Sequence, residues 1–300
     1  MTSLGIDIGA TKIAAGVVDP HGEVLSRAEI PTQAANGEML AKQLEELIRS
    51  VASGYKFESV GIGSAGPINI ESGSISPVNI PLWRNFPIVK EIREVCETNN
   101  VTLMGDVVAS VFGEFKCGNA RSAKNVLGLV VSTGIGGGLV INGEVHNGST
   151  FNAGFIGHTS IAGTSIECEC GGIGCLEAIS SGPSMVKLAR ANGLHLSENA
   201  QFEEVADAAR EGNQIALDAI FVGVDALAMA AANASALLDL DCIVLGGGVA
   251  ESGDIFWKPL DEAFARRKKH NTFLAVKEIS PCALGRNAGI IGAALYSLKE

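Results

Sequence analysis

One pattern occurs twice in this chain and restricts its fold more than any other feature. Residues 4–24, LGIDIGATKIAAGVVDPHGEV, read as an apolar strand, a glycine loop, a second apolar strand, an Asp-Pro-His-Gly turn and a third strand. Residues 125–148, NVLGLVVSTGIGGGLVINGEVHNG, repeat that order at similar spacing, with Asn-Gly as the turn. The repetition predicts an internal duplication, in which two similar lobes each open with a glycine-loop hairpin. Two such hairpins facing each other can grip a nucleotide.

A phosphate needs backbone N–H donors, and only glycine lets several point inward with no Cβ in the way. Three loops qualify, each after an apolar strand. The first is Asp7-Ile8-Gly9-Ala10-Thr11-Lys12, which adds a carboxylate, a hydroxyl and an ammonium. The second is Ser132-Thr133-Gly134-Ile135-Gly136-Gly137-Gly138, and the third is Gly246-Gly247-Gly248. Two rival motifs fail. Gly61-Ile62-Gly63-Ser64-Ala65-Gly66 has the spacing of a dinucleotide fingerprint, but that fingerprint must open a helix and Pro67 follows at once. A P-loop requires Gly-Lys, and the chain has no such pair.

Between the repeats the pattern alternates strands and helices. Residues 38–52 have apolar residues at helical spacing, and 87–99 read as a second helix opened by Pro87. Residues 59–66 form a strand entering a loop, and 67–83 are hostile to helix. The spans 176–192, 201–238 and 254–268 read as mainly helical, and 241–248 as a buried strand reaching the third glycine run. The final apolar helix is expected to pack back on the first lobe. The expected division is a small lobe over 1–116, joined by helix 288–300, and a large lobe over 117–287.

Bulk properties exclude several classes. The net charge of −11 disfavours a nucleic-acid partner, and the run Arg266-Arg267-Lys268-Lys269 reads as a solvated helix end. The apolar region Ala226–Leu238 is too short to span a membrane, and no basic segment precedes an apolar stretch at the N-terminus, so a soluble, cytoplasmic protein is expected. Seven unevenly placed cysteines do not suit a disulfide framework.

Three of those cysteines cluster. Cys168, Cys170 and Cys175 enclose Gly171, Gly172 and Gly174, and His158 lies ten residues earlier. Three thiolates and one imidazole suit tetrahedral Zn²⁺ with no open position, hence a structural metal. Asp106 follows the short strand VTLMG. It can project from the strand end into a cleft, or cap the helix beginning at Val107.

These loops, in this order, resemble the actin–hexokinase–heat-shock ATPase fold. GIDIGATK, VSTGIGGGL, CIVLGGGVA, the Asn-x-Pro-x-Trp segment from Asn79, AGFIGH and CECGGIGCLE resemble, more narrowly, the ROK family of bacterial sugar kinases. The resemblance implies an α/β, two-lobed, ribonuclease H-like fold with duplicated βββαβα lobes and an interlobe cleft. It implies ATP-dependent phosphorylation of a hexose hydroxyl, the 6-OH, of glucose or an amino or N-acyl hexose such as N-acetylmannosamine. The implied cofactors are ATP, Mg²⁺ and a structural Zn²⁺, and the implied assembly is a homodimer.

Roles follow by position. Asp106 matches the catalytic base. Gly66, Asn79, Gly105, Phe155, His158 and Glu177 fall in the sugar segments. Asp7, Gly9, Thr11, Lys12, Thr133, Gly134, Gly136, Gly247 and Gly248 fall in the nucleotide loops. His158, Cys168, Cys170 and Cys175 match the zinc ligands. Two roles stay open for Lys12, phosphate contact or solvated strand residue, and two for Glu177, sugar acceptor or helix cap. The chain departs from the family pattern at Gly105, Val108 and Phe155, where Asn, Asn and Glu are usual. Those departures place glucose in question and give the alternative of a catalytically impaired sugar-binding regulator of the same fold.

Overall fold

The computed structural model describes residues 1–298. The chain divides into two compact units: residues 1–122 with the segment from Ala283 onward, and Ala123–Cys282.

The first unit opens with strands β1 (Ser3–Ile8), β2 (Lys12–Val18) and β3 (Val24–Pro31), then helix α1 (Gly37–Ala52) and strand β4 (Ser59–Ser64). A small hairpin of β5 (Ile68–Asn69) and β6 (Ser74–Ile75) precedes α2 (Ile88–Cys96), β7 (Val101–Gly105) and α3 (Asp106–Cys117). The second unit has β8 (Val126–Val131), β9 (Ile135–Ile141) and β10 (Glu144–Val145), then helices α4 (Glu177–Ser180), α5 (Gly182–Ala191), α6 (Phe202–Arg210) and α7 (Gln214–Leu238). It closes with β11 (Cys242–Gly246), α8 (Asp254–His270) and β12 (Ile279–Pro281), before α9 (Ala288–Ser297) in the first unit.

The duplication is visible in strand order. One sheet runs β3-β2-β1-β4-β7 and the other β10-β9-β8-β11-β12, each with an antiparallel three-stranded meander followed by two parallel strands. Both hairpin turns follow from their residues. Asp19 Oδ1 accepts the N–H groups of His21 and Glu23, and Asn142-Gly143 takes positive φ at both positions (55° and 81°).

Helix α1 starts where Asn36 accepts the Met39 N–H at 2.8 Å and buries Leu40, Leu44, Leu47, Ile48 and Val51 as one stripe. Helix α9 lies directly on the first sheet. A Cβ at Gly61 would strike the Ala293 carbonyl, and one at Gly292 would strike that of Ala109, so both contacts require glycine. The hydroxyls of Ser3, Ser59 and Ser297 close a buried triangle of 2.6, 2.8 and 3.0 Å that ties the starts of β1 and β4 to the end of α9. The helix expected over 288–300 is thus observed over Ala288–Ser297, and residues 299–300 lie outside the described residues.

Two spans read as mainly helical are so, each divided into two helices, and one apolar stretch belongs to a longer helix. The span 176–192 breaks at Ser181, whose extended backbone (ψ 159°) starts α5 and whose Oγ accepts the Ser184 N–H. The span 201–238 breaks at Gly212 (φ 86°), and Asn213 caps α7. The apolar stretch ending at Leu238 belongs to a helix of 25 residues, long and apolar enough to cross a membrane. Its apolarity has another cause: Ala219, Ile220, Val224, Leu227 and Ala231 sit in the core of the second unit.

Candidate active site

In the first unit the parallel strands β1, β4 and β7 end side by side. Asp7 pairs with Gly63, and Ser64 pairs with Gly105, so Asp7, Ser64 and Asp106 share one sheet edge. The carboxyl ends of parallel strands are where α/β sheets place ligands. Gly105 is the cap residue of α3 and Asp106 its first helical residue, so Asp106 does not serve as the cap. Its Oδ1 accepts the Val107 N–H at 2.8 Å, at the positive end of the helix.

Burial raises the pKa of both carboxyls. Asp7 is pushed up to about 7, first by burial and then by the nearby Asp106, with Lys12 and Arg27 pulling the other way. Asp106 is raised by burial, opposed by the Val107 amide. Two carboxyls of raised pKa at one sheet edge are the kind of pair that active sites use for proton transfer.

The first glycine loop is tight. The Gly9 N–H donates to the Lys12 carbonyl at 3.0 Å, and Thr32 Oγ1 donates to the Ala10 carbonyl at 3.0 Å. The Gly9 amide is therefore spent on the turn, while Thr11 is exposed. Lys12 Nζ lies 3.2 Å from Glu29, which also receives Arg27 at 2.5 Å. Gly66 and the Asn79 segment adjoin, because the Val78 N–H donates to the Gly66 carbonyl at 3.1 Å. Asn79 itself is exposed. Gly61–Ser64 lie within β4, and the element after Gly66 is the strand β5, not a helix.

In the second unit the other two glycine loops meet. Gly247 has φ 100°, and a Cβ there would strike the Val131 carbonyl, which also accepts the Val249 N–H at 3.1 Å. The Ser132 N–H donates to the Gly134 carbonyl at 2.9 Å, and Gly136 pairs with Val130 in the sheet. Beside these loops is a cavity of ≈ 300 Å³ lined by Ser132, Thr133, Gly182, Gln201, Phe202 and Gly248, among others. Glu177, in the first turn of α4, reaches the loop: its Oε2 accepts the Ile135 N–H at 2.7 Å. The alternatives left open for Glu177 did not include this contact.

The knuckle also assembles. The ligand atoms of His158, Cys168, Cys170 and Cys175 all lie within 4.8 Å of one another. Cys170 Sγ and Cys175 Sγ are 3.6 Å apart, and His158 Nδ1 is 4.0 Å from Cys168 Sγ. A tetrahedron with bonds of about 2.3 Å has edges of about 3.8 Å, so the spacing fits Zn²⁺. Burial and the adjoining sulfurs push the Cys175 thiol up to about 12, whereas the Gly172 amide holds the exposed Cys170 below its ordinary value. Gly171 (φ 84°) and Gly174 (φ 72°) turn the chain between ligands. Phe155 is half exposed, and its ring centroid is 6.3 Å from that of His158.

A profile of the ROK family matches residues 3–300. The chain belongs to the ROK family. The ROK hexokinase of Thermus thermophilus superposes with a TM-score of 0.87 at 32% identity, covering 98% of this chain and 97% of that one. A ROK glucokinase from Streptomyces griseus, solved with glucose and AMPPNP, gives 0.80 at 27% identity and full coverage of both chains, 100% each. The N-acetylmannosamine kinase of Haemophilus influenzae is 31% identical over 307 residues, covering 100% of this chain and 96% of that one. The architecture is accordingly the two-lobed actin-like ATPase fold common to ROK kinases.

Proposed function

We propose that the chain catalyses ATP-dependent phosphorylation of a hexose hydroxyl, with Asp106 as general base. The observation that carries the reading is the position of Asp106: a half-buried carboxyl at the carboxyl end of a parallel strand, beside Asp7, with its pKa raised. A carboxylate of raised pKa takes a hydroxyl proton more readily than an ordinary one. The sugar oxygen then forms its bond to the γ-phosphorus as the β–γ bridging bond breaks and ADP leaves, while Asp106 holds the proton.

The other residues position and neutralise. Thr133, Gly134, Gly247 and Gly248 edge the cavity and loops that would receive the nucleotide, with Thr11 and the first loop on its phosphates. Asp7, an oxygen ligand, would hold Mg²⁺, which supplies charge neutralisation at the phosphates. His158, Cys168, Cys170 and Cys175 would hold Zn²⁺ as a structural clamp. Gly66, Asn79, Gly105, Phe155, His158 and Glu177 are the sugar-facing set. Glucose is the first candidate substrate. Phe155 and Gly105, which offer no side-chain polar contact, favour an amino or N-acyl hexose such as N-acetylmannosamine as the second. The assembly we assign is a homodimer, which light scattering reads directly.

ADP release measured across glucose, mannose, glucosamine and N-acetylmannosamine tests the reading and names the substrate. Calorimetric binding of a sugar with no turnover on any of them favours the second reading, a sugar-binding regulator, to which Gly105 and Phe155 also point.

A further inference from the structure

The segment between β6 and α2 has almost no regular secondary structure, yet it carries Asn79. One side chain organises it. Arg84 Nη1 donates to the carbonyls of Pro77 at 2.7 Å, Ile80 at 2.9 Å and Trp83 at 2.9 Å, and Nη2 donates to that of Val78 at 3.3 Å. All four acceptors are main-chain carbonyls, and they flank Asn79 on both sides. The two Nη1 hydrogens are shared among three carbonyls while Nη2 reaches the fourth, so the guanidinium spans acceptors that one ammonium nitrogen cannot reach together.

The consequence is directional. Carbonyls 77, 78, 80 and 83 turn toward the guanidinium, while Val78 is 70% exposed and Asn79 is exposed. The base of the segment is fixed separately. Ser76 Oγ accepts the Asn85 N–H at 2.8 Å, Trp83 stacks on Phe86 at 4.5 Å, and Trp83 Nε1 donates to the Gly37 carbonyl at 3.2 Å. Arg84 therefore governs the crown of the loop.

We infer that Arg84 is a positioning residue for sugar binding: it touches no substrate but presets the loop that presents Asn79. This rests on the reading of Asn79 as a sugar contact. An ordered loop presents its side chain without the entropy cost of ordering it at each binding event.

The test is a double-mutant cycle on sugar KM at saturating ATP, using whichever of glucose or N-acetylmannosamine has the lower KM in the parent. R84A is expected to raise sugar KM by roughly ten- to a hundredfold, with the KM for ATP unchanged. R84K falls between R84A and the parent, and guanidinium ion below denaturing concentration partly restores R84A. N79A raises sugar KM by itself, and N79A/R84A is no worse than N79A, because Arg84 acts through Asn79. Unchanged KM in R84A with raised KM in N79A overturns the inference alone. Additive effects in the double variant overturn it too, since they mark a general loss of loop structure. Unchanged KM in N79A overturns both the sugar-site reading and the inference resting on it. Should R84A fail to fold, the R84K comparison and its cycle with N79A carry the same outcomes.

Discussion

Glu177 Oε2 accepts the backbone N–H of Ile135 at 2.7 Å, across 42 residues of sequence. Glu177 stands two residues after Cys175, one of the four residues that could hold a metal ion, and Ile135 is in the second glycine loop. One carboxylate thus joins the thiol cluster to the loop assigned to phosphate. The fit is close: a Cβ at Gly134 would lie 2.6 Å from Glu177 Oε2.

Glu177→Ala leaves the buried-side amide of Ile135 without its acceptor, an effect of roughly 1–3 kcal/mol. Steady-state kinetics should show a raised KM for ATP as well as for the sugar, and Glu177→Gln a smaller rise in both. A change confined to the sugar would mean the loop contact has no functional weight.

Asp7 has a folded pKa near 7 against an ordinary 3.8. Folding favours its protonated form, so this group's contribution to stability is present below pH ~4 and lost as pH rises toward and through 7. Asp7→Asn should therefore melt roughly 2–6 °C above the parent at pH 8, in the absence of nucleotide and divalent ions, with the difference shrinking by pH 4. The same variant should lose phosphorylation activity, because the oxygen ligand assigned to Mg²⁺ loses its charge. Calorimetry and ADP release read the two effects separately.

Removing the metal tests the knuckle. A strong chelator should release about one Zn²⁺ per chain, read colorimetrically, and Cys175→Ser should bind none. In both cases sugar KM should rise roughly tenfold or more, because outer contacts that orient ligand residues commonly carry that weight. Unchanged sugar affinity after verified metal loss rejects the coupling of knuckle and sugar site.

Glu114 is 1% exposed, and its two oxygens accept the N–H groups of Leu284 at 2.8 Å and Asn119 at 3.1 Å. Glu114→Ala strands two amides, so denaturant unfolding should show a loss of about 2–5 kcal/mol. Glu114→Gln, which keeps one acceptor, should lose less.

How much of this the sequence disclosed depends on the range of the contacts. The strand–loop–strand repeats and the Cys-x-Cys cluster are local, so spacing and glycine content reveal them, and the two sheets and the assembled cluster follow. The breaks at Ser181 and Gly212 fall in Ser-Ser-Gly-Pro and Arg-Glu-Gly-Asn, local turn and cap signals that a reading of whole spans as mainly helical does not resolve. The Glu177–Ile135 and Glu114–Leu284 contacts span 42 and 170 residues, and no periodicity encodes such a partner. Arg84 is adjacent to a recognisable segment, yet only folded carbonyl directions reveal its role; an arginine beside a Pro-rich loop with no acid nearby in sequence was the available signal.

Asp106 is the residue on which the proposed proton transfer depends. Asp106→Asn keeps the shape and the Val107 contact but cannot take a proton. Sugar-dependent ADP release at saturating ATP and sugar should fall by roughly 10²–10⁴, with ATP and sugar binding by calorimetry little changed. Full turnover in this variant would contradict the account.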